Sequence, residues 1–236
     1  TSYLILFFFL IISMLLSVWA RKLTLPAALV GGVIGYFIFI GAGATGIAMI
    51  VAFFILGTAA TSWKMERKQL QTIAERDKGK RRAGQVLANA GVAGLLGMMV
   101  LLFPQQKIIL QLMMASSFSS ATADTLSSEL GNVYGRKFYN ILTLQKDERG
   151  RNGVISAEGT VIGFLGSILI AVIYSIGLGW GFSFLWIIIA GTIGNLSDSI
   201  LGATLERKNI IKNNAVNFLN TLIAALAGAL FFYFFS

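Results

Sequence analysis

Eight runs of about 20 apolar residues, separated by short polar connections, govern what this chain can fold into. They cover roughly residues 3–20, 23–42, 45–63, 84–103, 108–130, 154–176, 184–201 and 214–235. A helix of that length reaches across hydrocarbon, and it satisfies its own backbone where no water can. The expected fold is therefore all-α, a polytopic transmembrane helical bundle of about eight spans. It forms one integral membrane domain over residues 1–236. Residues 1–63 carry three N-terminal spans, 64–83 form a basic cytoplasmic loop with room for a short helix or lid, and 84–236 hold the five remaining spans, the core of the domain. Composition agrees: 56% of residues are hydrophobic and 12% charged, with mean hydropathy +0.77. The first run has no basic leader and no clean small-residue cleavage site, so it reads as a span rather than a signal peptide.

The charges set the expected topology. The connections alternate between two sides, and segments 21–22, 64–83, 131–153 and 202–213 hold 18 of the 19 Lys and Arg residues. The other side has only Lys107. The positive-inside rule makes the first side cytoplasmic and places both termini outside. All ten acids lie in those loops or in the cytoplasmic third of a span. The net charge of +9 thus points to a membrane surface and to anionic substrates rather than to nucleic acid.

Ser116 to Asn132, SSFSSATADTLSSELGN, stands out inside an apolar run. Ionisable groups within a span are costly and face a protein interior or a wet cavity. On a helix, Ser117, Ser120, Asp124, Ser127 and Ser128 form one stripe, with Glu129 beside it. Similar stripes occur in span four (Arg81, Gln85, Asn89), span seven (Asn195, Asp198, Ser199, Gly202) and span eight (Asn213, Asn217, Asn220, Thr221). Four stripes at one depth predict a shared polar cavity open to the cytoplasm. A weak parallel repeat of helix pairs links NAGVAGLLG (89–97) with EGTVIGFLG (158–166), and TADTLSSELG (122–131) with GNLSDSILG (194–202).

The chain has no cysteine and no histidine, which excludes thiol chemistry and the commonest general base. A metal must then sit on oxygen, which suits Mg2+. Asp124, Glu129 and Asp198 are the candidate ligands and catalytic acids. Around them lie Lys80, Arg81, Arg82 and Arg151, cations suited to a metal–nucleotide or a diphosphate. The segment DERGRNGVIS (147–156) places Gly150 and Gly153 around Arg151 and Asn152, a turn able to present backbone N–H groups to phosphate. GxxxxGK[ST] is absent, and GxGxxG occurs once, as GAGATG at 41–46 where two apolar runs meet rather than after a strand, so the common soluble nucleotide folds are not indicated.

RRAGQVLANAG (81–91), SSATADTLSSELG (119–131), GRNGVIS…GT (150–160), GNLSDSILGATLE (194–206) and NNAVNFLNT (213–221) together resemble the integral-membrane family that contains plant phytyl-phosphate kinase. They cover about the C-terminal two-thirds of the chain. The chain has only Gly153 where the family often has two glycines, and Ala90 where it often has one. The resemblance implies phosphoryl transfer from a nucleoside triphosphate, with CTP the expected donor, to a polyprenyl monophosphate such as phytyl or geranylgeranyl phosphate. On that reading Asp124 and Asp198 hold the metal with Glu129 third. Arg81, Arg82 and Arg151 hold phosphates, and Gln85, Asn89, Asn195 and Asn217 orient groups by hydrogen bonds. Lys64, Arg67 and Lys68 only meet lipid headgroups. Two other readings stay open: a CTP-dependent cytidylyltransferase making a CDP-lipid, and a transporter of an organic anion or lipid.

Overall fold

The computed structural model describes residues 2–64 and 80–235. The central part of the predicted 64–83 loop, with Arg67 and Lys68, lies outside the described residues. Among the described residues there are seven helices: α1 (Ser2–Trp19), α2 (Leu25–Ser62), α3 (Ala83–Leu102), α4 (Lys107–Tyr134), α5 (Ala157–Leu178), α6 (Phe182–Leu201) and α7 (Asn213–Phe235). The all-α membrane bundle expected from hydropathy is what the chain forms.

Counting spans takes more care. Five helices (α2, α3, α5, α7 and α6 with its extension to Glu206) are long and apolar enough to cross a membrane by length and composition. The serines and acids of α4 dilute its hydropathy, and α1 is slightly short. Helix α2, at 38 residues, is two arms rather than one rod. Gly43 has φ 57° and ψ −143°, a conformation that interrupts the helix and that only glycine adopts easily. A Cβ on Gly46 would collide with the side chain and carbonyl of Ile38. In a continuous helix those positions are about 12 Å apart, so the chain folds back at Gly43. The break frees backbone groups, and Gln111 of α4 donates its side-chain amide to the Gly41 carbonyl at 2.8 Å. Irregular backbone at membrane depth survives where protein satisfies it in this way. Two arms of α2 plus six other helices match the eight apolar runs.

Helix α4 is the axis of the bundle and packs against α2, α3, α5, α6 and α7. From Met114 to Asp124 every residue is buried. The partners are small: a Cβ on Gly228, Gly191 or Gly194 would strike the hydroxyl of Ser116, Ser119 or Ser120 respectively. Small residues let membrane helices approach closely, and serine hydroxyls add hydrogen bonds across the contact. Ser119 donates to the Ile187 carbonyl at 3.1 Å, and Ser120 to Asn220 Oδ1 at 3.1 Å. The predicted stripe from Ser117 to Ser128 is thus divided. Its serine half is closed by glycines, and only its acidic half reaches open space. Large apolar side chains such as Leu87, Leu95, Phe164, Leu165 and Leu230 instead point outward, as suits a hydrocarbon solvent.

Four basic segments meet at one end of the bundle. Lys22 donates to Ser62 at 2.9 Å, Leu23 pairs with Arg81, Trp63 donates to the Tyr134 hydroxyl at 2.8 Å, and Arg207 reaches Asp147 at 2.7 Å. The 135–156 connection is ordered by two short antiparallel strands, β1 (Tyr139–Asn140) and β2 (Val154–Ile155). Span six therefore starts later than hydropathy implies. Residues 154–155 belong to the strand, and α5 begins at Ala157, where the Ser156 side chain accepts the Gly159 N–H at 3.1 Å.

Candidate active site

The polar stripes of α3, α4, α6 and α7 converge on one cavity of about 150 Å³ at the basic end. Arg81, Gln85 and Asn89 enter from α3 and the residues just before it. Asp124, Ser128 and Glu129 come from α4, Asp198 from α6, and Asn213 and Asn217 from α7. A second polar space of about 220 Å³ lies under the 150–156 segment and is lined by Arg151, Asn152, Asn195 and Glu206. Ser128, Asp198 and Asn213 border both, so the two spaces meet at Asp198.

The carboxyl groups of Asp124 and Asp198 face each other within hydrogen-bonding reach. They come from the second helix of each predicted helix pair. Each is held by amide or hydroxyl donors. Asn220 donates to Asp198 Oδ1 at 2.7 Å, and Asn217, with its amide oriented to donate, reaches the same oxygen at 3.3 Å. Ser128 donates to Asp124 Oδ1 at 3.5 Å. Asn195 accepts from Ser127 at 3.0 Å, tying α6 to α4 just beside the pair. Asn89 is buried and donates to the Gln85 carbonyl at 3.0 Å, while its Oδ1 has no hydrogen-bond partner. A buried acceptor without a partner costs stability, so one that lines a cavity marks a place for a ligand or water.

This donor set suits a hard cation. It is all oxygen, with two facing carboxylates and the unpartnered Asn89 carbonyl in one cavity. Glu129 lines the same cavity, and its charge acts on Asp124. Among the described residues no three acids come close enough together to hold one ion between them. Two carboxylates remain, the number magnesium takes when substrate phosphates complete its shell.

The predicted phosphate-holding residues separate into three groups. Arg81 faces the acid cavity, with its guanidinium 5.2 Å from the Phe53 ring centre and 6.0 Å from that of Phe54. Arg151 and Asn152 face the second space. Lys80 and Arg82 line neither. Gln85 has a structural task as well, since its Oε1 accepts the Arg82 N–H at 2.8 Å and caps α3.

The 147–153 turn is held rigidly. Gly150 and Gly153 have φ of 77° and 73°, and a Cβ on Gly153 would collide with Ala203, so glycine is required there twice over. Arg207 donates to Asp147 Oδ2 and to the Asn152 carbonyl, while Arg151 sits 3.4 Å from Asp147 Oδ1. The Arg207 hydrogen bond, then the Glu148 N–H, lowers the Asp147 carboxyl from 3.8 to about 2. Because the folded value is depressed, this contribution to stability is complete above the ordinary carboxyl range. It is lost only as pH falls from about 4 toward 2.

Arg207, Asn220 and Glu206 are absent from the sequence-derived site. Asn220 lies on the polar stripe of α7, which was the available signal, but its contact with Asp198 arises from packing. Arg207 meets a carboxylate 60 residues away, a pairing that no local pattern announces.

The sequence profile described as Integral membrane protein DUF92 matches residues 8–225. An uncharacterized membrane protein of Synechocystis sp. is 33% identical over 196 residues, covering 82% of this chain and 76% of its own. Protein VTE6, chloroplastic, of Arabidopsis thaliana is 32% identical over 198 residues, covering 80% of this chain and 59% of its own. An uncharacterized membrane protein of Methanocaldococcus jannaschii is 32% identical over 205 residues, covering 85% of this chain and 82% of its own. No solved structure matches the chain.

Proposed function

We propose that this chain, which belongs to the DUF92 integral membrane protein family, is a membrane-embedded transferase. It moves the terminal phosphoryl group of a nucleoside triphosphate, CTP by the resemblance, to a polyprenyl monophosphate. The observation that carries this reading is the facing pair Asp124 and Asp198, set among hydrogen-bond donors where two polar spaces meet at the basic end of a membrane bundle. The basic loops at that end support a cytoplasmic orientation by the positive-inside rule, the side where nucleotide is available. The resemblance of its motifs to the family that contains plant phytyl-phosphate kinase is in keeping with this chemistry.

Phosphoryl transfer between phosphates asks a protein mainly for positioning and charge neutralisation. An oxygen of the lipid phosphate dianion attacks the γ-phosphorus, the bond from γ-phosphorus to the β-bridging oxygen breaks, and a nucleoside diphosphate leaves. The attacking oxygen carries no proton, so no histidine is needed. Asp124 and Asp198 would hold Mg2+, which would supply positive charge to offset that of the phosphates. Asn220, Asn217 and Ser128 keep the two carboxylates aimed at one point. Arg81 and Arg151 approach from opposite spaces, and each offers a planar fork of donors to one substrate's phosphates.

The test is incubation of the purified protein with Mg2+, radiolabelled CTP and a prenyl monophosphate. Release of CDP with formation of prenyl diphosphate is expected. Pyrophosphate with a CDP-lipid would replace this reading with cytidylyl transfer, and neither product would favour transport. Orientation is checked separately, since the chain has no cysteine of its own. Lys146→Cys should resist an impermeant thiol label in intact cells, while Gln105→Cys at the other end should react. The reverse pattern would put the site outside.

A further inference from the structure

The bundle has a third space that borders the acid cavity. An apolar groove of about 350 Å³ runs between α1, both arms of α2 and the start of α3. Its walls include Met14, Ile50, Phe53, Phe54 and Val86. Two of the residues lining it, Arg81 and Gln85, also line the acid cavity. A hydrocarbon lying in the groove would therefore end at an arginine that also lines the cavity of Asp124 and Asp198.

We propose that this groove is the seat of the hydrocarbon tail of the lipid phosphate, and that Arg81 marks the junction of tail and phosphate. The inference rests on the transferase reading above. The occupant is an isoprenoid or similar chain carrying a single anionic phosphate. Three observations select it. The wall is almost wholly apolar and its volume falls in the range of small-ligand sites. Arg81 lies against the rings of Phe53 and Phe54, so the one strong charge is held at the end of the groove. Helix α1 rests chiefly on α2, and the Leu23, Ala27 and Ala28 cluster that it joins is separate from the main core. A tail can thus enter sideways from the membrane past a single helix.

A rival groove exists. It lies between the first arm of α2, α3 and α7, is larger at about 510 Å³, and includes Phe37, Leu95 and Phe218. It shares no lining residue with either polar space. Among the described residues none that lines it is a cation, so charge complementarity favours the groove that ends at Arg81.

The two grooves offer a matched experiment. A Cβ at Gly31, in the proposed groove, is 3.9 Å from its nearest neighbour, Val86. A Cβ at Gly91, in the rival, is 3.8 Å from Phe218. Either position accepts a larger side chain that then fills its groove. Gly31→Leu should raise KM for a long-chain prenyl monophosphate by about tenfold or more, with KM for the nucleotide and turnover of a one-isoprene phosphate unchanged. Gly91→Leu should change none of these. A lipid effect from Gly91→Leu alone, or from neither, overturns the proposal. A second measurement needs no turnover and no variant: a prenyl monophosphate with a diazirine in its tail is photolysed with the wild-type protein in vesicles. Label is expected on α1, both arms of α2 and the start of α3, displaced by unmodified prenyl monophosphate but not by the uncharged prenol. Label in the groove without CDP release would remove the transferase and leave the groove. CDP release with label spread over the outer helix faces would remove the groove and leave the transferase.

Discussion

The two halves of α4 carry the same kind of sequence and do opposite things. Ser116 to Ser120 and Asp124 to Glu129 are both polar stretches inside one apolar helix. The first is sealed by Gly191, Gly194 and Gly228, so its hydroxyls touch neighbouring helices and nothing else can reach them. The second meets Asn and Asp side chains from α6 and α7, which leave space between them. Polarity in this helix is thus packing where glycines close against it, and a site where the facing polar residues leave space. Mutations in the acid half should change chemistry and spare the fold, and mutations opposite the serine half should do the reverse.

The strongest test of that division is removal of one negative charge. Asp124→Asn and Asp198→Asn each keep size and hydrogen bonding, yet each should lower kcat by roughly 10²-fold or more, the scale of losing a contact to transition-state charge. Their melting temperatures should stay near that of the wild type. Full activity in either variant at ordinary magnesium would break the comparison at its catalytic end. On the other side, Gly191→Val drives two methyl groups into Ser119 and Ser167, where overpacking costs about 1–3 kcal/mol. Thermal unfolding in detergent should shift downward, while kcat per folded molecule holds. An unchanged melting temperature would show that the serine half is not tightly closed.

Smaller effects sharpen the boundary. Arg151→Lys should lose about tenfold in kcat/KM for the nucleotide, about 1.4 kcal/mol, because lysine cannot reproduce the planar fork. Lys64→Gln, whose ammonium lies over the Tyr134 ring away from both polar spaces, should alter nucleotide use little, since a charge at a membrane surface is worth about 1 kcal/mol of headgroup attraction. Equal losses from the two would erase the distinction between site and surface cations. Smallest of all should be Ser116→Ala. Its buried hydroxyl has no hydrogen-bond partner, so removing it should change stability by under about 1 kcal/mol and activity not at all.

The fold class was legible in the sequence because a bilayer is a simple solvent. Any apolar run of sufficient length must become a helix there, and charge asymmetry sorts the connections. Even the turn at Gly43 was marked, as a short glycine-rich connection between two apolar runs. Asp124 and Asp198 were legible for a related reason: hydrocarbon admits a carboxylate only where protein receives it. What receives it depends on contacts between residues distant in sequence, and only the tertiary structure decided those. It paired Asp198 with Asn220, bound the 147–152 turn through Arg207, and joined Arg81 to both a polar and an apolar space. It also separated the sealed serines from the open acids, since helical periodicity states which face a residue occupies but not what stands opposite.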